Sequence, residues 1–249
     1  MNTTIRRIIF FVVFCFIACS SNASADSDQS SSSRPKPLQV LFIGNSYTYF
    51  NDMPVMLAEM SHSQQGARGL RVKMIAVPAA TLQQLWDNGD AKKAIEEGNW
   101  DVVVLQEQSI LPTVEPEKMK LYARKFDAII KEHGAKTALY VTWARKAKPE
   151  MQVDLNAAYY SLAKELGSIV VPVGNTWQIA LAKDSSIELY MDDGSHPTST
   201  GSYLAACTFY QVLIKSASTC PSPSERFGVN AKNIATAKTS VKQAIAQLH

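Results

Sequence analysis

Leu38-Gln39-Val40-Leu41-Phe42-Ile43-Gly44-Asn45-Ser46 is an apolar run that ends on a glycine, an amide and a hydroxyl. Large and β-branched apolar residues in succession suit a strand buried on both faces. Gly44 is expected to take a backbone conformation that other residues resist as the chain turns. A helix is predicted over 52–65, with Asp52 as N-cap and Pro54 in the first turn, and Val55, Met56, Leu57, Ala58 and Met60 give it an apolar face. Ser46 then lies past the carboxyl end of a strand and just ahead of a helix, where open α/β sheets place ligands. Serine is also a common turn and capping residue, and on this stretch alone an ordinary turn hydroxyl is the better fit.

Working outward, Leu70 to Val77, Asp101 to Leu105, Ala135 to Thr142 and Ser168 to Val173 read as four more short strands. Helical patterns lie near 52–65, 81–97, 116–133, 150–166, 198–216 and 230–247. Strands alternating with helices of this length imply an α/β fold, a parallel sheet covered by helices on both faces. The ends of parallel strands share one rim, and four of the five here are polar or aromatic. They are Asn45-Ser46, the run into Pro78-Ala79-Ala80-Thr81-Leu82, Gln106-Glu107-Gln108-Ser109, and Trp143-Ala144-Arg145; the fifth strand leads to Gly174-Asn175-Thr176-Trp177. Amides placed directly after Val102-Val103-Val104-Leu105 are neutral donors of the kind an oxyanion site uses.

The chain has 249 residues, of which 46% are apolar and 19% charged, as expected of a globular protein with a sizeable core. Arg6 and Arg7 precede an uncharged run, Ile8 to Cys19, that is the length of a signal-peptide core and too short to cross a bilayer as a helix. Residues 1–19 are therefore expected to be a signal segment whose Phe16-Ile17-Ala18-Cys19 resembles a bacterial lipobox, with Cys19 as the lipidated residue. Ala23-Ser24-Ala25 offers the alternative of plain cleavage after Ala25. The serine- and proline-rich stretch 20–37 suits a tether, and 38–249 forms the domain. The expected location is the periplasm, or a membrane surface reached through the Cys19 lipid. Setting aside Arg6 and Arg7 leaves 23 basic against 22 acidic residues, which gives no electrostatic case for nucleic acid. Two cysteines remain in the domain, Cys207 and Cys220; either a disulfide joins them, worth about 3 kcal/mol, or they stay a buried thiol and a loose one. No Cys/His spacing resembles a zinc site, and neither metal nor cofactor is expected.

A serine hydroxyl becomes a useful nucleophile only when a base accepts its proton. Of four histidines, His249 is terminal, His133 sits at a helix end beside Gly134, and His62 lies on a helix away from Ser46. That leaves His196, in Tyr190-Met191-Asp192-Asp193-Gly194-Ser195-His196-Pro197, where Asp193 is placed to fold back onto one ring nitrogen while the other faces Ser46. The competing reading makes Asp193 and His196 a local cap for the helix that follows.

This ordered set, Gly44-Asn45-Ser46 early, amides after the third strand and Asp193-Gly194-Ser195-His196-Pro197 late, resembles the SGNH/GDSL hydrolase superfamily of esterases and lipases over residues 38 to about 215. The resemblance implies a three-layer αβα sandwich, flavodoxin-like, with five parallel strands in the order 2-1-3-4-5. It also implies a triad of Ser46, Asp193 and His196. The oxyanion donors would be the N–H groups of Ser46 and Ala79 and the side chain of Gln108, with Gln106 a weaker alternative. The chain departs from the family in having Asn45 where aspartate is usual, and Ala79 where glycine is usual. A positive φ at Ala79 would cost about 1 kcal/mol. Trp143, Arg145, Trp177 and Tyr190, near the same rim, are expected to line a pocket. The implied activity is hydrolysis of short acyl esters, with an acylated glycan as the expected substrate. A catalytically impaired glycan-binding lipoprotein and an acyltransferase are the alternatives.

Overall fold

A computed structural model describes residues 35–63, 68–214 and 219–248. The expected signal segment 1–19 with Cys19, the cleavage site after Ala25 and most of the 20–37 tether lie outside the described residues. In chain order the elements are β1 (Leu38–Gly44), α1 (Ser46–Tyr49), α2 (Met53–Ser63), β2 (Leu70–Ala76), α3 (Leu82–Asn88), α4 (Asp90–Glu96), β3 (Val102–Leu105) and α5 (Leu111–Val114). These are followed by α6 (Pro116–Glu132), β4 (Lys136–Tyr140), α7 (Met151–Leu166), β5 (Ile169–Val171), α8 (Val173–Lys183), α9 (Ser199–Ile214) and α10 (Ala231–Ala246).

The strands form one parallel sheet in the order β2-β1-β3-β4-β5. β3, Val-Val-Val-Leu, is buried along its whole length and sits at the centre, as a strand with no polar side chain must. β2 takes an edge, where Arg71 and Lys73 reach water and make the open strand a poor template for further pairing. Alternation along β1 divides the core in two. Val40 and Phe42 join Val102, Val104 and Tyr140 beneath α2, α8, α9 and α10, whereas Leu41 and Ile43 join Val103, Leu105 and Leu139 beneath α3, α4, α6 and α7.

Four local features differ from the sequence expectation. Gly44 is not in the left-handed region; it is required for space, since a Cβ there would stand 2.5 Å from Gln106 Oε1 and 2.6 Å from Thr48 Oγ1. Asp52 does not N-cap α2, because its φ of 52° is left-handed whereas a capping residue is extended. The predicted helix 81–97 is two helices, broken at Gly89 with φ 90°. Finally, α8 begins directly at Val173, where Gly174 and Thr176 disguise a first helical turn as a strand exit.

Cys207 and Cys220 are joined by a disulfide with their Cα atoms 5.3 Å apart, which ties α9 to the segment ahead of α10. Replacing both by alanine should lower the unfolding free energy by about 3 kcal/mol. Denaturant titration checks this, and an unchanged midpoint would contradict it.

Candidate active site

Ser46 is the first residue of α1, so its N–H has no acceptor within the helix. Asn45 is the N-cap, extended at φ −138° and ψ −151°, and its Oδ1 accepts from Tyr47 N at 3.1 Å. The other end of the same amide donates from Nδ2 to Ala80 O at 2.9 Å. A carboxylate would serve as the cap but has no hydrogen to give Ala80, so asparagine joins the serine turn to the loop after β2 where aspartate would not. Beneath, the wholly buried Gln106 Oε1 accepts from Asn45 N at 2.8 Å and Thr48 Oγ1 at 2.9 Å.

The segment carrying His196 is held from several sides. Tyr190 and Pro197 form an antiparallel bridge, Met191 N donates to His196 O at 2.8 Å, and Gly194, at φ 64°, takes the left-handed turn between them. Asn51, itself left-handed at φ 52°, donates from Nδ2 to Pro197 O at 3.0 Å and to Ser202 Oγ at 2.9 Å, binding the segment after Ser46 to the segment after His196. Trp143 Nε1 donates to Ser195 O at 2.9 Å, and Ser195 Oγ lies 2.6 Å from the Tyr47 hydroxyl. The imidazole stacks on Phe50, with centroids 4.4 Å apart and planes at 18°.

These constraints bring the three candidate side chains together. Asp193 Oδ1 accepts from the Ser195 and His196 N–H groups, both at 2.9 Å, and Oδ2 is hydrogen-bonded to His196 Nδ1. Because the carboxylate only accepts, Nδ1 carries the proton in this pair, which leaves Nε2 as the acceptor 2.9 Å from Ser46 Oγ. The His196 bond lowers the Asp193 carboxyl to about 2, with the two backbone N–H groups adding to it against a smaller opposing effect of burial. The local cap and the contact with Ser46 therefore coexist in one loop.

The cleft over these groups has a volume of about 150 Å³ and is lined by Ser46, Ala79, Gln108, Ser109, Arg145 and His196, among others. Ala79 has φ 55° in a turn closed by Ala80 N to Val77 O at 3.1 Å, so this alanine adopts the conformation a glycine would take. Gln108 Oε1 accepts from Ile110 N at 2.8 Å and Leu111 N at 3.1 Å at the start of α5, and fixing the oxygen there leaves the NH₂ end as the group that can serve the cleft. Arg145 is half-buried and donates to Ser109 Oγ at 3.0 Å. Trp143 and Trp177 do not line the cleft: each is 1% exposed, stacked on the other at 4.0 Å within the core. Tyr47 extends this stack at 4.4 Å from Trp143, so the tryptophans form the floor under the site. Tyr190 faces a separate groove and donates its hydroxyl to Ala144 O at 2.8 Å. Among the described residues no group of three or more His, Cys, Asp or Glu side chains is arranged to hold a metal ion.

Glu107 carries no sequence signal of a functional role beyond standing between two amides directly after the most apolar strand. It is 1% exposed, and Oε1 accepts from Leu82 N at 3.1 Å and Gln108 N at 2.6 Å, joining the loop of Ala79 to the loop of Gln108. Among the described residues its Oε2 has no hydrogen-bond partner, and burial raises the carboxyl from an ordinary 4.5 to about 7 against the pull of those two N–H groups.

No family model and no curated protein sequence matches the chain. Solved structures do. A protein proposed as an SGNH hydrolase from Slackia heliotrinireducens superposes with a TM-score of 0.63 at 26% identity, covering 72% of this chain and all of that one. A DUF4886 family protein from Bacteroides uniformis gives 0.69 at 18% identity over 85% and 95% of the two chains. The acetyl xylan esterase AlAXEase gives 0.59 at 14% identity over 71% and 100%. The chain has the SGNH/GDSL hydrolase fold.

The raised Glu107 carboxyl has a stability consequence. Below pH 4.5 it is protonated folded and unfolded alike; as pH rises toward about 7 the unfolded chain releases this proton while the folded chain keeps it, so its contribution to stability is lost across that window. At about 1.4 kcal/mol per unit, Glu107→Gln should remove a decline on the order of 3 kcal/mol between pH 5 and 8. Urea unfolding of both proteins checks this, and identical pH profiles would contradict it.

Proposed function

We propose that the protein is a serine ester hydrolase that acts through an acyl-Ser46 intermediate on short acyl esters, with an acylated carbohydrate as substrate. The observation that carries the proposal is the run of contacts from Asp193 through His196 to Ser46 Oγ, the last of them 2.9 Å. In the acylation step Ser46 Oγ bonds to the ester carbonyl carbon as its proton passes to His196 Nε2, and Asp193 stabilises the imidazolium through Nδ1. The tetrahedral oxyanion is held by the N–H groups of Ser46 and Ala79 and the Gln108 NH₂. The C–O bond to the leaving group then breaks, and His196 returns the proton to the departing oxygen. Water repeats the sequence on the acyl-enzyme, releasing the carboxylic acid and restoring Ser46.

Ala79 does not disable this arrangement on physical grounds. It keeps its N–H, and its left-handed strain of about 1 kcal/mol is opposed by the Asn45 bond to Ala80 O. A cleft of about 150 Å³ is small beside the 300–1,000 Å³ usual for drug-sized ligands, which favours an acetyl-sized acyl group over a long chain. The same fold serves a protein named as an acetyl xylan esterase, which supports acetylated carbohydrate as the substrate class. Export with a lipid on Cys19, or cleavage after Ala25, would bring the enzyme to such substrates.

Ser46→Ala should lower kcat on 4-nitrophenyl acetate by at least about 10³-fold with the fold retained by circular dichroism. Gln108→Ala should lower kcat by about 10²-fold with little change in KM. Wild-type turnover in Ser46→Ala would contradict the mechanism.

A further inference from the structure

A groove of about 830 Å³ lies beside the cleft over Ser46 and is several times its volume. One side is the segment from Ser185 to Asp192 and the other is Lys146 and Pro149. The groove and the cleft share a wall. Arg145 and Asp193 line the cleft while their chain neighbours Lys146 and Asp192 line the groove, and Lys146 N donates to Gly194 O at 2.9 Å to join the two strips of backbone. Consecutive Cα atoms are about 3.8 Å apart, so the groove begins within about one residue's length of the cleft.

We propose that this groove binds the leaving-group part of the substrate, and that this part is an uncharged oligosaccharide chain; the proposal rests on the ester-hydrolase reading of the neighbouring cleft. The lining decides the chemistry. Met191 is 45% exposed and Tyr190 is half-buried, giving apolar patches suited to the C–H faces of sugar rings. Around them stand the hydroxyl of Ser185 and the carboxylates of Glu188 and Asp192, which accept hydrogen bonds from ligand hydroxyls. No ion pair engages Lys146, Glu188 or Asp192 among the described residues, so ligand binding breaks no internal salt bridge. Two carboxylates against one ammonium disfavour a polyanionic chain. An acyl tail would leave those charges desolvated without partners, which disfavours a lipid. The groove wall is also stiff: Thr198 Oγ1 donates to Glu188 O at 2.7 Å, and Tyr190 packs edge-on against buried Trp177. A preformed wall of this kind loses little conformational freedom on binding.

The test is isothermal titration of unacetylated xylotetraose and of tetragalacturonate, its anionic counterpart, into the wild type, Glu188→Lys and Met191→Asp. Xylotetraose should bind the wild type in preference to tetragalacturonate. Each substitution should raise its Kd about tenfold, the equivalent of one lost charge-assisted hydrogen bond or apolar contact, and Glu188→Lys should narrow the preference over tetragalacturonate. Failure of the wild type to bind xylotetraose, equal binding of the two sugars, or unchanged affinity in both variants would overturn the proposal. Hydrolysis of 4-nitrophenyl acetate by the wild type, measured in parallel, reports on the ester-hydrolase reading separately: turnover without sugar binding rejects the groove alone, and sugar binding without turnover rejects the cleft chemistry.

Discussion

The structure depends on the Gln106 carboxamide, which is buried at the carboxyl end of the central strand and whose single oxygen accepts from Asn45 N and Thr48 Oγ1. That pair of bonds fixes the backbone on either side of Ser46, and it is available only because Gly44 has no side chain to occupy the space. A buried amide left with an unmatched hydrogen-bonding group is costly, so the turn has little freedom to place Ser46 elsewhere. Gln106 therefore acts from behind the cleft, and Gln108, two residues on, is the amide that lines it.

A second set of constraints brings His196 to the serine across 150 residues of chain. Parallel β-strands leave the Ser46 turn and the Trp143 loop on one rim, and the bonds of Asn51, Trp143 and Tyr47 to the Ser195–Pro197 segment hold His196 against it. The stack of Tyr47, Trp143 and Trp177 is the rigid layer on which both halves of the site rest. Packed aromatic layers of this kind transmit displacement instead of absorbing it. Position at the site is thus set by core packing as much as by the polar groups that face the cleft.

Much of this was legible in the sequence because it rests on local chemistry. The apolar runs and their spacing implied the alternating strands and helices, and Asp193-Gly194-Ser195-His196-Pro197 announces its own turn, with the carboxylate reaching back to the ring. What was not legible depends on tertiary depth. Trp143 and Trp177 follow strand ends and read as rim residues, yet both turn into the core, which nothing in their neighbours indicates. Glu107 follows a strand with nothing in its neighbours to mark it as buried, and it is buried where two loops converge to give its Oε1 donors. The first turn of α8 is concealed by residues of low helix propensity that packing overrides.

The central claim is that Ser46 is activated by His196 as a nucleophile, and covalent labelling tests it most directly. Treatment with a serine-directed fluorophosphonate followed by peptide mapping should place one adduct on the peptide containing Ser46, and His196→Ala should slow its formation sharply. An adduct at another serine, or ester hydrolysis at full rate with Ser46 unmodified, would contradict the account.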